Sequence, residues 1–153
     1  MRSMFKGRTS ALAAGAAVIT AALTAFAPTA GASTSTALDG PFQFHNVATG
    51  KCLDGNGSSI YPQDCNGGNY QRWSRNPGGS GFQLQSVATG KCLDTNGSTI
   101  YPHDCNGGNY QRWIFNGYPY QLQNVATGKC LDTNGSSIYP HDCNGGNYQR
   151  WSV

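Results

Sequence analysis

Apolar and polar residues alternate along short stretches of this chain, and each stretch stops at a turn. Phe42-Gln43-Phe44, Phe82-Gln83-Leu84-Gln85 and Tyr120-Gln121-Leu122-Gln123 place an apolar side chain at every second position, the period of a half-buried β-strand. Ala48-Thr49-Gly50, Asn56-Gly57-Ser58 and Asn66-Gly67-Gly68-Asn69 break up the first of these regions, and the same breaks recur in the later ones. Gly and Asn suit such breaks because they tolerate the positive φ that tight turns need. From Phe42 onward no window is long or periodic enough for an amphipathic helix. The pattern predicts an all-β domain of short strands.

The alternating segments are openings of a repeat. Each continues Ala-Thr-Gly-Lys-Cys-Leu-Asp and closes on Gln-Arg-Trp, and between Val87–Trp113 and Val125–Trp151 the sole difference is Thr99 against Ser137. The first cysteines of successive repeats lie 40 and 38 residues apart. The two extra residues fall in the Gly-rich connector Ser74 to Gly81, read here as a surface loop. A β-rich unit of about forty residues cannot bury its apolar face alone, so the copies share one core. A closed barrel with pseudo-threefold symmetry, a β-trefoil, does this without leaving long strand edges. Its repeats are expected at 42–81, 82–119 and 120–153, after a lead-in at 33–41. Trp73, Trp113 and Trp151, with Ile60, Ile100, Ile138, Leu53, Leu93 and Leu131, are the expected core, each Trp needing a partner for its N–H. The short last strand should pair near the first, around Phe42 and Phe44.

The region before the repeats has a different composition. Arg2, Lys6 and Arg8 precede seventeen small or apolar residues, Ala11 to Ala27, and then Ala30-Gly31-Ala32. That order is a secretory signal peptide over residues 1–32 with processing after Ala32, and the run is short of the roughly 20 residues of a membrane span. Export without membrane insertion is expected. The leader carries three of the ten basic residues and none of the seven acidic ones, all Asp. The remainder is balanced at seven of each and lacks the basic excess of a phosphate-tracking surface, so nucleic acid is not the expected partner.

Six cysteines form three pairs, Cys52 and Cys65, Cys92 and Cys105, Cys130 and Cys143, each thirteen positions apart. Export and an even count argue for disulfides, and of fifteen possible pairings the equal spacing favours one bridge within each repeat. Zinc fits poorly, because no Cys-x-x-Cys occurs and each repeat offers few clustered ligands. Neither a metal nor a cofactor is expected.

Three copies of Cys-Leu-Asp followed by Gln-Arg-Trp, at Gln71, Gln111 and Gln149, resemble the Gln-x-Trp repeats of ricin B-type β-trefoil lectins, also grouped as carbohydrate-binding module family 13. More narrowly, Leu-Asp-x-Asn, a Tyr, and Asn-Gly-Gly-Asn-Tyr-Gln-Arg-Trp resemble the actinohivin-type bacterial lectins that bind the mannose ends of high-mannose glycans. The resemblance implies a sugar site in each repeat: Asp54, Tyr61, Asn66 and Tyr70; Asp94, Tyr101, Asn106 and Tyr110; Asp132, Tyr139, Asn144 and Tyr148. The residue types suit the task independently. A carboxylate accepts from two vicinal hydroxyls, Asn donates and accepts, and Tyr offers an apolar face with a hydroxyl.

Departures from the pattern matter too. Gln63, His103 and His141 stand where the mannose-binding relatives place a Leu, and they join the candidate sugar-binding residues; the two His can change charge where Gln63 cannot. The turn between Asp54 and Tyr61 is one residue shorter. Galactose- and xylan-binding members usually carry an aromatic two positions before the second cysteine, absent here, and often an Asn where Tyr70 stands. Mannose-type glycans are thus favoured over galactose or xylan, which remain the alternative, and multivalent binding by a monomer is expected.

Plainer readings of the same residues exist. Asp54 and its equivalents could anchor a turn, and Tyr70, Tyr110 and Tyr148 could belong to the core. As a pocket residue, Asp132 is expected at the surface, contributing little to stability. Asp64, Asp104 and Asp142 read as solvated turn residues, and Gln71, Gln111 and Gln149 as structural. Asn56, Asn96 and Asn134 fit the glycosylation sequon but read better as turns. Catalysis is not expected: a hydrolase pair such as Asp54 and Asp64 would need two carboxylates in different environments, and each candidate here recurs three times in the same one. No Glu and no Gly-x-Ser-x-Gly occurs. A protein-binding inhibitor would need one distinctive loop, and the least repeated stretch, Arg75 to Ser80, is short and Gly-rich.

Overall fold

The computed structural model describes residues 40–153. The expected signal peptide lies outside the described residues, as does the lead-in up to residue 39. The strands in order are β1 (His45–Asn46), β2 (Cys52–Gly55), β3 (Ile60–Gln63), β4 (Trp73–Gly78), β5 (Gly81–Ser86), β6 (Cys92–Thr95), β7 (Ile100–His103), β8 (Trp113–Asn116), β9 (Gln121–Asn124), β10 (Cys130–Thr133), β11 (Ile138–His141) and β12 (Trp151–Ser152). Each repeat thus supplies an opening strand, a hairpin and a closing strand that starts at the Trp.

The alternation at the openings builds the barrel. Phe44, Leu84 and Leu122 are at most 1 % exposed, and their polar neighbours on the other face are half-buried. β4 pairs with β5, β5 with β8, β8 with β9, and β12 with β1, while the bridges Phe42 to Trp73 and Tyr120 to Trp151 join the remaining neighbours. Six strands therefore close into a ring, which makes the domain a β-trefoil. The last strand meets the first as expected, at His45↔Ser152 and Asn46↔Trp151. The hairpins β2–β3, β6–β7 and β10–β11 touch one another through β3, β7 and β11.

All nine expected core residues lie in one cluster, and Phe44, Leu84 and Leu122 complete it. Each buried Trp contributes roughly 4–6 kcal/mol by area removed from water. Its N–H is satisfied: Trp73, Trp113 and Trp151 donate Nε1–H to the carbonyls of Leu53, Leu93 and Leu131 at 3.0, 3.1 and 3.1 Å. The three disulfides run within repeats, Cys52–Cys65, Cys92–Cys105 and Cys130–Cys143, each stabilising by about 3 kcal/mol on a chain-entropy estimate.

One expectation about the fold is corrected. Ser74 to Gly81 is not a loop: β4 and β5 stay paired as far as Gly78↔Gly81, leaving only Gly79 and Ser80 as the turn. Gly79 adopts φ +57°, the left-handed backbone such a two-residue turn requires, and Arg75 lies over the Phe82 ring at 4.3 Å, tying the hairpin together. Between its strands each repeat also carries one short helical turn, consistent with the all-β expectation. Asn69–Gln71, Asn109–Gln111 and Asn147–Gln149 form single 3₁₀ turns, set up by the reversal at Gly67, Gly107 and Gly145 with φ of 71°, 73° and 72°. No helix among the described residues is long and apolar enough to cross a membrane.

Candidate functional site

Each hairpin places an Asp directly across from a Tyr: Asp54↔Tyr61, Asp94↔Tyr101 and Asp132↔Tyr139. The first cysteine pairs across the same hairpin with the next position of interest, Cys52↔Gln63, Cys92↔His103 and Cys130↔His141. The disulfide then anchors the start of the loop that carries Asn66 and Tyr70, or their equivalents. In the second and third repeats these parts surround pockets of about 340 and 360 Å³, within the usual size range of small-molecule sites. Asp94, Tyr101, His103, Asn106 and Tyr110 line one, and Asp132, Tyr139, His141, Asn144 and Tyr148 the other. Asp54, Tyr61, Gln63, Asn66 and Tyr70 occupy the same places in the first repeat.

The Gln of Gln-x-Trp fixes this arrangement. Gln71 Nε2 donates to Asp54 Oδ2 at 3.0 Å and to the Asp64 carbonyl at 2.9 Å. Its Oε1 accepts from the Asn66 N–H at 2.8 Å and from Gln43 Nε2 at 2.7 Å. Gln111 and Gln149 repeat the pattern, reaching Asp94 at 2.8 Å and Asp132 at 2.9 Å. One fully buried amide thus ties the opening strand, the loop and the pocket carboxylate together, and the structural reading of these Gln extends to the site itself. Asn66, Asn106 and Asn144 each accept the N–H of the Gly two residues on at 2.8 Å, so the exposed side chains are held in place.

The carboxylates are deeper than expected. Asp54, Asp94 and Asp132 are only 4 %, 4 % and 5 % exposed, which corrects the surface placement; the bond to a buried Gln requires it. Among the described residues, Asp54 Oδ1 and Asp94 Oδ1 are buried without a hydrogen-bond partner, a costly condition for an acceptor. The hydroxyls of Tyr61, Tyr101 and Tyr139 are pushed above the ordinary tyrosine range by burial and then by the adjacent Asp, which disfavours a second negative charge. They remain hydroxyl donors over the whole neutral range.

Tyr70, Tyr110 and Tyr148 are about half exposed, so the core reading is excluded for them. His103 and His141 are exposed, with Nδ1 3.9 Å from the pocket Asp and 3.0 and 3.1 Å from the carbonyls of Asp104 and Asp142. Asp64, Asp104 and Asp142 are exposed, as expected of turn residues. Asn56, Asn96 and Asn134 close turns by accepting from N–H groups two and three residues ahead. Asn96 and Asn134, with Thr95, Thr133, Gly108 and Gly146, also line the pockets. Sequence reasoning missed those wall residues; for Thr95, Asn96, Thr133 and Asn134 the available signal was adjacency to Asp94 and Asp132 in the chain, and for Gly108 and Gly146 it was closeness to Asn106 and Asn144.

Comparison with known proteins agrees with this geometry. No curated protein matches the chain. Among solved structures, the designed threefold-symmetric protein ThreeFoil is 27 % identical, with a TM-score of 0.64 over 71 % of this chain and 94 % of that one. An exo-β-1,3-galactanase from Clostridium thermocellum, 1,3Gal43A, is 26 % identical with a TM-score of 0.63, over 71 % of this chain but only 29 % of the enzyme. SeviL, in a structure bound to asialo-GM1 saccharide, shares the fold at 19 % identity and a TM-score of 0.62, over 71 % and 91 % of the chains. The family model of the ricin-type β-trefoil lectin domain matches residues 40–151. The chain therefore belongs to the ricin-type β-trefoil lectins, a family whose domain binds carbohydrate and is not itself catalytic.

Proposed function

We propose that the protein is a secreted lectin for mannose-type glycans, binding through three pockets built to one plan and acting as a monomer by multivalent attachment. The observation that carries this reading is the pocket carboxylate. It is anchored on a buried Gln by one oxygen, flanked by a tyrosine hydroxyl and a half-exposed tyrosine ring, and in Asp54 and Asp94 its second oxygen has no protein donor. A hexose edge supplies hydroxyl donors for such an oxygen and C–H groups for the ring. Asn66, Asn106 and Asn144 add an amide whose N–H groups can donate to a sugar oxygen. The ring of barrel strands, closed by β12 on β1, leaves no barrel edge for a second copy to extend.

Pockets this open and polar bind weakly, roughly millimolar to tens of micromolar for a disaccharide. Joining several in one rigid domain raises apparent affinity by about a hundredfold or more when the ligand spans them. A glycan array tests the reading. High-mannose glycans should bind, and branched ones far more tightly than their terminal disaccharide. Because one structural relative is an exo-β-1,3-galactanase, galactan is the second polymer to include; binding there without mannose binding rejects the sugar assignment, and a blank array rejects the lectin reading of these pockets. Amino-terminal sequencing of protein recovered from the medium should begin at Ser33.

A further inference from the structure

The walls of each pocket are held from outside their own repeat. Lys91, in the second repeat, donates Nζ–H to the Gly57 carbonyl of the first at 3.2 Å. Lys129 reaches Gly97 at 2.9 Å and Lys51 reaches Gly135 at 3.0 Å, completing a cycle. Each lysine thus grips the turn that follows the pocket Asp of the preceding repeat, the turn whose Asn96 or Asn134 forms a wall. The opposite wall is held the same way. Asn124 donates Nδ2–H to the Tyr110 carbonyl at 2.8 Å, and Asn46 to the Tyr148 carbonyl at 2.8 Å.

The cycle is incomplete at one point. The residue that should hold Tyr70 is Ser86, too short to reach it; its Oγ accepts only from the Thr89 N–H, at 3.4 Å, among the described residues. Other differences fall on the same pocket. Thr95 and Thr133 brace their turns by donating to the Thr99 and Ser137 carbonyls at 2.7 Å and accepting from the Gly97 and Gly135 N–H at 3.0 Å. Gly55 occupies that place in the first repeat and has no side chain to do so. Arg112 and Arg150 donate to the Gly107 and Gly145 carbonyls at 3.0 Å, whereas Arg72 is exposed and makes no such bond among the described residues.

We propose that every pocket is positioned by the repeat that follows it in the cycle, and that the first-repeat pocket, with this support reduced, is the weak site of the three. Asn124 is then a positioning residue for the second-repeat site and not for its own. The inference rests on the lectin reading for its affinities but not for its geometry.

The test is site-resolved NMR of the isotopically labelled protein, titrated with α-linked mannobiose and followed at the Gly68, Gly108 and Gly146 amides. In the unmodified protein Gly68 should report the weakest binding. Asn124→Ser should weaken the Gly108 response by roughly two- to tenfold, the range of one net hydrogen bond, and leave Gly146 unchanged. Ser86→Asn should strengthen the Gly68 response by a similar factor, a gain that loss of folding cannot mimic. Without sugar, Asn124→Ser should speed amide exchange at residues 106–110 and not at 144–148. An Asn124→Ser effect confined to the third repeat, or spread evenly over all three, overturns the proposal, as does Ser86→Asn with no gain. If mannobiose moves no amide while the exchange pattern holds, the sugar assignment fails and the cross-repeat positioning stands.

Discussion

Replacing Asp132 with Ala separates what this residue does for the fold from what it does for the ligand. The side chain is 7 % exposed and accepts from Gln149 Nε2 at 2.9 Å. Truncation leaves one amide hydrogen of Gln149 without an acceptor, while the other still reaches the Asp142 carbonyl at 2.9 Å. One stranded donor costs about 1–3 kcal/mol, and removing a poorly solvated carboxylate offsets part of it. A net loss of about 1–2 kcal/mol follows, against a total of about 5–15 kcal/mol for a domain of this kind. The variant should stay folded and melt lower by roughly 4 °C per kcal/mol. Binding should suffer more. A hydrogen bond to a charged group is worth about 1.5–3 kcal/mol, or roughly 10- to 150-fold in affinity, enough to silence a weak third-repeat site. Asp132→Asn keeps an acceptor for Gln149, so it should cost under about 1 kcal/mol of stability yet still lose the charge-assisted part of binding. Calorimetric melting and disaccharide titration of both variants provide the check. A large stability loss with the third site still binding would show that Asp132 serves only the scaffold, and unchanged stability in the Ala variant would show that its bond to Gln149 contributes nothing.

Other expectations follow from the same contacts. Trp113→Phe deprives the Leu93 carbonyl of its donor and leaves a gap in the barrel, so urea denaturation should report a loss of about 2–4 kcal/mol; a neutral result contradicts the role given to the indole N–H. In an ultraviolet titration, Tyr61, Tyr101 and Tyr139 should ionise above the ordinary tyrosine value of 10.0. Their raised folded-state values mean that this contribution to stability is complete below the ordinary 10.0 and is lost as pH rises through the higher folded value. Asp94→Asn should bring Tyr101 down toward the ordinary tyrosine value, and no change at Tyr101 in that variant would refute the pairing. Replacing Cys92 and Cys105 together by Ala should cost about 3 kcal/mol, and an unchanged denaturation midpoint would show that the bridge does not constrain the unfolded chain.

Much of the fold was legible because repetition makes local signals add. Alternation at Phe42, Phe82 and Tyr120, glycine at the turns and a Trp ending each unit all point to one architecture, and the thirteen-residue cysteine spacing to one pairing. The candidate residues could be named because they recur, yet their depth could not. The burial of Asp54 is set by Gln71, seventeen residues on in the chain, and no local pattern shows that one amide meets that carboxylate. The Ser74–Gly81 hairpin was misread because Pro77 and its glycines outweighed the pairing partner, which becomes visible only once Phe82 lies opposite Pro77. The links from Lys91 to Gly57 and from Asn46 to Tyr148 cross repeats, and there sequence distance carries no information.

The pairing of β12 with β1 also dictates when the molecule can fold. A linear array of repeats is able to fold from either end and add units as they emerge. Here the barrel-closing partners of His45 and Asn46 are Ser152 and Trp151, more than a hundred residues later, so the ring of a nascent chain stays open until synthesis has passed Trp151. Contacts of such sequence separation make closure slow and late. A chain stalled or cut before its third Trp is left with two open barrel edges and the carbonyl of Leu131 unmet, and unpaired edges of that kind are templates for pairing with other chains.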